Sequence, residues 1–208
     1  MGKQPIEIFH ENYHEFLTDI ERIRQQNATS PTTHCSLSIT VSEERSKTAV
    51  VEDLYEHTRN LVQEAKKGND ERLEKEANII IHGCLDYLEI WGGNTPVTAH
   101  ERETYQDDVT VIQRPPIVRL KELFEEKGDD YEMDEITYLS YCIMGRWSVI
   151  HEVHKKAQRF YSVTVDEDPK FEEAEDTAFD LCNYALYLLA YSALPNELSY
   201  DWVIHDLR

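Results

Sequence analysis

Hydrophobic residues recur at helical spacing along most of the chain. Near the N-terminus they stand alternately three and four positions apart, at Ile6, Phe9, Tyr13, Phe16, Ile20 and Ile23. This spacing predicts an amphipathic helix over residues 5–25, with Pro5 in its first turn. Two more helices are predicted over residues 49–67 and 71–91, because Gly68 and Asn69 between them are typical of a helix stop and turn.

The pattern changes in two polar parts of the chain. Leu37, Ile39 and Val41 alternate with Ser and Thr, which predicts a strand or an extended arm, and a second short alternating segment covers residues 108–113. From Ile117 onward the pattern is helical again, with continuous helical segments predicted over residues 133–162 and 171–194. The predicted fold class is therefore mainly α, with one or two short strands in the N-terminal half. The polar stretch before Pro116 predicts a boundary between an N-terminal helical region, residues 1–105, and a C-terminal helical bundle, residues 106–208.

The last long helical segment, residues 171–194, carries five acids in its first ten positions. At about 100° per residue, one face of roughly 60° holds Asp176, Asp180, Asn183 and Tyr187, with Glu172 and Glu173 beside it. The rest of the circumference is apolar. A solvated face explains many such patterns, but it is usually broader and has basic residues among the acids, and none occurs here. Two carboxylates one turn apart suit Mg²⁺, which prefers oxygen ligands.

The preceding helical segment carries basic residues on one face. Glu152, Lys156 and Arg159 lie within roughly 60° of one another, while apolar residues occupy the other faces. If the two segments pack antiparallel, the acids of one meet an acid and two bases of the other. Two interpretations remain open: a buried ion network, or a site where a metal and cationic side chains bind a polyphosphate. The second predicts that the carboxylates of Glu152, Asp176 and Asp180 converge.

Charge and cysteine usage narrow the classes of function. The chain has 21 basic and 41 acidic residues, a formal charge of −20, which disfavours direct binding to nucleic acids and to anionic membranes. Its four cysteines form no Cys-x-x-Cys pair, which indicates free thiols rather than a zinc ribbon or a disulfide framework. The N-terminus lacks a signal-peptide pattern and no run of 18 apolar residues occurs. We therefore expect a cytoplasmic protein.

One short motif suggests zinc. The sequence from His10 to His14 fits the His-Glu-x-x-His pattern, in which two histidines one turn apart bind zinc. Both histidines, however, flank the apolar stripe of the first helix, and Glu11 points nearly opposite to it. This placement disfavours a zinc site.

Three segments of the C-terminal half resemble a known family. "LKELFEEKGDDY", "GRWSVIHEVHKKAQRF" and "EEAEDTAFDLCNYALYL" are similar to the MazG-like all-α nucleotide pyrophosphohydrolases, most closely to phage-encoded members linked to modified-nucleotide metabolism. The resemblance spans about residues 117–194. Its most specific part is the spacing of Asp176, Asp180, Asn183 and Tyr184, with Lys127, Asp130 and Tyr131 upstream.

The resemblance implies a dimeric or tetrameric helical bundle in the cytoplasm of a phage host. Such proteins use Mg²⁺, with Mn²⁺ as an alternative, to cleave a nucleoside triphosphate into a monophosphate and pyrophosphate. By resemblance, the metal ligands are Glu152, Glu173, Asp176 and Asp180. The expected catalytic residues are Glu152, Lys156 and Arg159, and the expected substrate-binding residues are Lys127, Asp130, Tyr131, Asn183 and Tyr184.

The sequence departs from the family at one position. MazG enzymes carry a Glu-x-x-Glu pair on the first metal-binding helix, whereas Glu152 here stands alone, with His151 before it and Lys155 three residues later. This departure and the charge of −20 keep an alternative open: a non-catalytic acidic interaction protein that binds a host protein or sequesters a nucleotide.

Overall fold

The computed structural model of the protein describes residues 5–29, 46–92, 115–131, 145–165 and 174–195. This part of the chain contains six α-helices and no strand. The helices are α1 (Pro5–Thr29), α2 (Lys47–Lys67), α3 (Asp70–Trp91), α4 (Pro116–Tyr131), α5 (Arg146–Val165) and α6 (Ala174–Ser192). The mainly α fold class is therefore confirmed for these residues. The predicted strand around Ile39 and the alternating segment at 108–113 lie outside them.

Helices α2 and α3 form a hairpin whose turn consists of two residues. Gly68 has a φ of 68°, in the left-handed region that glycine adopts without strain, and its N–H donates to the carbonyl of Ala65 at 3.1 Å. Asn69 donates its N–H to the carbonyl of Glu64 at 3.0 Å, and its side chain caps α3 by accepting from the N–H of Arg72. The predicted helix stop and turn are confirmed.

The start of α5 corrects one sequence-based prediction. Gly145 has a φ of 66°, so it cannot continue a right-handed helix, and α5 begins only at Arg146. A single helix running through this position over residues 133–162 is therefore wrong. A Cβ at position 145 would lie 3.6 Å from the hydroxyl of Tyr191 on α6, so the turn also brings the chain close to α6.

Four helices pack in a closed order, with α2 against α3, α3 against α6, α6 against α5, and α5 against α2. Helix α1 packs on α6, and α4 contacts α1, α3 and α6. Helix α6 therefore has neighbours on most of its circumference, which explains why its pattern is apolar nearly all round. The residues of α6 that are not buried are Ala174, Glu175, Asp176, Asp180, Tyr184 and Ser192.

One buried cluster contains residues of all six helices. Within it the ring of Tyr87 on α3 meets the ring of Phe160 on α5 edge-on, with centroids 4.9 Å apart. Helices from both sides of the predicted boundary near residue 105 thus share a core. The boundary itself falls outside the described residues and stays a prediction.

The described residues include two of the four cysteines, and both lie in this core. Cys84 and Cys182 are buried free thiols, as their spacing in the sequence predicts. Burial raises the pKa of the Cys182 thiol to about 12, which keeps it protonated at neutral pH. None of the described helices is both long and apolar enough to cross a membrane.

Candidate functional site

The acidic strip of α6, defined as Asp176, Asp180, Asn183 and Tyr187, has two different ends. At the open end, Asp176 is exposed and Asp180 is half-buried. At the covered end, Asn183 and Tyr187 are only 3% and 7% exposed. Helix α1 contributes to the enclosure of the covered end, because Tyr13 bonds to Asn183 and the rings of Phe9 and Tyr13 contact Tyr187.

At the open end, the basic face of α5 meets the strip. The ammonium of Lys156 donates to a carboxylate oxygen of Asp180 at 2.5 Å, and both side chains are about one-fifth exposed. The same ammonium lies 5.9 Å from the ring centroid of Tyr184, within the range of a cation–π contact. The facing strips therefore meet as the sequence predicts, through a base of α5 and an acid of α6.

The expected convergence of three carboxylates is not found. Glu152 accepts hydrogen bonds from the ammonium of Lys155 at 3.1 and 3.3 Å, and Nδ1 of His151 lies 3.7 Å from it. Within the five described ranges, no three His, Cys, Asp or Glu side chains come together to hold a metal, so Glu152, Asp176 and Asp180 do not form such a group. The physical reason is that lysines neutralise Glu152 and Asp180 separately.

At the covered end, α1 engages the strip directly. The hydroxyl of Tyr13 donates to Oδ1 of Asn183 at 2.6 Å, and the Tyr13 ring stacks on Phe124 of α4 with centroids 3.7 Å apart. Phe9 and Tyr13 both contact the ring of Tyr187. The amide that the resemblance assigns to substrate binding is thus enclosed by protein, and its contact with substrate stays a prediction.

The two histidines of the zinc-like motif also belong to this packing. The rings of His10 and His14 both meet Phe124 edge-on, at centroid distances of 5.5 and 5.4 Å. Between them, Asn12 donates to the carbonyl of Ala190 on α6 at 3.1 Å. These contacts agree with a packing role for the motif.

A second feature of α5 is a groove on its outer side. This basic groove has a volume of about 820 Å³ and is lined by Tyr55, Lys155, Lys156, Gln158, Arg159, Tyr161 and Ser162. Helix α5 carries four basic residues and one acidic residue, a net charge of +3, in a chain of net charge −20. The groove therefore brings basic side chains together on a strongly acidic protein, with Lys155 and Lys156 paired to carboxylates at its edge.

Aromatic side chains run along the groove. The ring of Tyr55 on α2 stacks with Tyr161 at 6.0 Å and with His154 at 5.7 Å, and Gln158 donates to the Tyr55 hydroxyl at 3.5 Å. Burial, together with the charges of His151 and Arg59, lowers the pKa of His154 and favours the neutral ring. Sequence reasoning missed Tyr55, because nothing local in α2 shows that it faces α5.

Four predicted site residues have side chains that the structure does not describe. Lys127, Asp130 and Tyr131 belong to the last turns of α4, and Glu173 precedes α6. Their assigned roles in substrate and metal binding stay predictions. Of the other predicted residues, the structure brings Lys156, Asp180 and Tyr184 into contact.

Comparisons with protein-family models, with curated proteins and with solved structures show no match to this chain. The resemblance to MazG-like enzymes therefore depends on the three sequence segments alone.

Proposed function

We propose that the protein is a Mg²⁺-dependent nucleoside triphosphate pyrophosphohydrolase of the MazG-like, phage-encoded type. The observation that supports this proposal is the pairing of Lys156 with Asp180, where a basic helix face meets an acidic strip. Hydrolysis of a phosphoanhydride needs carboxylates for the metal and cations for the phosphates, and both lie at this junction.

Asp176 and Asp180 are the residues that suit a divalent cation. They stand one helical turn apart at the open end of the strip, and Asp180 already holds a cationic ammonium. Carboxylate oxygens are the donors that Mg²⁺ and Mn²⁺ accept. A bound ion would neutralise negative charge on the phosphates, and Lys156 would then be released from Asp180.

The side chains of α5 supply the rest of the chemistry. Lys156 and Arg159 bind phosphate oxygens as charged hydrogen-bond donors. Glu152 orients the attacking water and accepts its proton, as a carboxylate can when it stands within hydrogen-bond reach. The water oxygen bonds to the α-phosphorus while the bond to the β-phosphate oxygen breaks, so that a nucleoside monophosphate and pyrophosphate form.

The test is release of pyrophosphate from a panel of ribo- and deoxyribonucleoside triphosphates with Mg²⁺. We expect release with the wild-type protein and a loss of about a hundredfold or more in Asp180→Asn. The matched control is Asp19→Asn, since Asp19 also pairs with a basic residue, Arg22, but on the exposed outer face of α1. This control should keep full activity.

Two results would refute the hydrolase. One is the absence of pyrophosphate release with every nucleotide of the panel, and the other is equal release by wild type and Asp180→Asn. Circular dichroism and thermal unfolding of the variants would show that the fold is intact.

The structure also favours a second candidate, a protein that binds a nucleotide without cleaving it. The supporting observation is that Glu152 is held by Lys155, away from any group of three ligands in the described helices. Nucleotide binding by calorimetry without pyrophosphate release would favour this candidate. Binding to neither nucleotides nor phosphate would leave the protein-binding alternative.

A further inference from the structure

The basic groove has the charge of an anion-binding site. Lys155, Lys156 and Arg159 line it, while the chain as a whole carries a charge of −20. Lys155 and Lys156 are paired with the carboxylates of Glu152 and Asp180, so an anionic ligand has to take their place as partner of these lysines. Clustered basic side chains on an acidic protein attract small anions, whereas the rest of the surface repels them. We therefore expect the ligand of the groove to be a small anion, because a large anion would also approach the acidic surface around the groove.

The groove also has a surface for a flat ring. Tyr55 and Tyr161 both line it, with their rings inclined by only 27° to each other. Any of the nucleobases can stack on such side chains, because every base has a π face. At about 820 Å³, the groove falls within the usual range for small-molecule sites. An anion with an attached planar ring fits these properties better than inorganic phosphate alone.

Lys156 connects the groove to the acidic strip. It lines the groove and at the same time holds Asp180. A ligand with its ring on the tyrosines can therefore direct its phosphates past Lys155 and Arg159 to the open end of the strip. The opposite arrangement, with the ring at the strip, is less favourable because Tyr184 already contacts Lys156 and Tyr187 and because Asn183 is buried.

We infer that the basic groove binds the nucleoside end of a nucleoside polyphosphate, with the base against Tyr55 and Tyr161. This inference rests on the proposed function and adds the location of the base. It places the base between α2 and α5, and Tyr55 lies outside the segments that resemble MazG-like enzymes.

The experiment measures binding separately from cleavage. Deoxynucleoside triphosphates with a methylene group between the α- and β-phosphates resist the proposed hydrolysis, and their affinity in Mg²⁺ is measured by calorimetry. We expect Tyr55→Leu and Tyr161→Leu to weaken binding on the order of tenfold each. Binding of inorganic triphosphate should not change. Tyr184→Leu is measured beside them as the variant that tests the opposite arrangement. The matched control is Phe16→Leu, a half-buried ring of α1 that does not line the groove, and it should bind the analogues like wild type.

Several outcomes would overturn the inference. These are weaker binding in Tyr184→Leu but not in the groove variants, equal affinity for inorganic triphosphate and for all analogues, and no binding at all. If Tyr55→Leu does not fold, Tyr161→Leu and Tyr55→Phe replace it, and Tyr55→Phe should retain affinity.

The result is distinguishable from the fate of the hydrolase proposal. Tyrosine-dependent binding without pyrophosphate release would support the groove and refute cleavage. Pyrophosphate release with an unchanged KM in both groove variants would refute the groove and leave cleavage intact.

Discussion

The two ends of the acidic strip lie on one helix, only a few residues apart, and have opposite surroundings. At the open end, Asp180 is about one-fifth exposed and is balanced by the ammonium of Lys156. At the covered end, Asn183 is almost fully enclosed and is balanced by a neutral hydroxyl, that of Tyr13. A charged group thus stands where water still reaches, and a neutral amide stands where it does not.

The comparison shows how the same helix face can serve two purposes. Polar groups deep in a core stabilise the fold only when their hydrogen bonds are made, whereas exposed ion pairs contribute little to stability. We therefore expect the covered end to determine stability and the open end to determine binding and activity. The predictions below test this division, from the largest expected effect on stability to the smallest.

The largest effect is expected from Asn183→Asp. This exchange places a carboxylate beside the neutral hydroxyl of Tyr13 at a position that is only 3% exposed, and such burial costs about 3 kcal/mol or more. The free energy of unfolding, measured by urea denaturation, should fall accordingly. A change of less than about 0.5 kcal/mol would show that the covered end is open to water after all.

The next effect is a pH dependence of the free energy of unfolding, which arises from a buried histidine on α3. Burial, aided by the charge of Arg24 on α1, lowers the pKa of His82 on α3 from 6.5 to about 4. Between these values the unfolded chain binds a proton that the folded chain excludes. This contribution to stability is therefore complete above pH 6.5 and is lost as the pH falls toward 4, by at most about 3 kcal/mol.

Denaturation of wild type and His82→Gln at several pH values measures this contribution. The variant should lose less stability than wild type between pH 6.5 and 4. Burial raises the pKa of Asp86, so Asp86 contributes to the pH dependence of stability with the opposite sign. Because it does so in both proteins, the comparison isolates His82. An equal loss of stability in both proteins between pH 6.5 and 4 would refute the assignment of this pH dependence to His82.

A smaller effect is expected from Tyr13→Phe. Removing the hydroxyl leaves Oδ1 of Asn183 without that donor inside the core, which costs about 1–2 kcal/mol. Tyr184→Phe, the same exchange near the open end, is the control and should change the free energy of unfolding by less than about 0.5 kcal/mol. Equal effects at both positions would remove the distinction between the two ends.

The smallest effect on stability is expected from Asp180→Asn. The ion pair with Lys156 is partly exposed, so its removal should cost less than about 1 kcal/mol, and salt should diminish the difference. A double-mutant cycle with Lys156→Met measures the pair directly. A coupling above about 2 kcal/mol would make the pair a structural element and weaken its proposed role in binding.

Local features of the fold were predictable from the sequence, because their causes lie within a few residues. Gly68 and Asn69 end one helix and start the next through backbone and side-chain bonds to near neighbours. The acidic strip and the basic face followed from helical periodicity, and so did the meeting of Lys156 with Asp180. Gly145 was misassigned because a glycine within an apolar periodic pattern gives no sign of its φ.

Contacts between distant segments were not predictable. Tyr13 reads as an ordinary position of an apolar stripe, and only the packing of α1 on α6 makes it the partner of Asn183. The same holds for Tyr55, whose ring meets α5 across the bundle. The predicted convergence of carboxylates was not found. Helical geometry assigns side chains to a face, but it does not determine which lysine pairs with which acid.

The two-residue connection at Gly68 has a consequence for the order of folding. Helices α2 and α3 can pack after closing a very short loop, whereas the Tyr13–Asn183 hydrogen bond joins residues 170 positions apart. Loop-closure entropy favours the short-range pairing, so the α2–α3 hairpin is expected to form early and α1 to dock late. Substitutions in the hairpin should slow folding, while those at Tyr13 should mainly speed unfolding. The enclosure of Asn183 is then among the last events on the way to the native state.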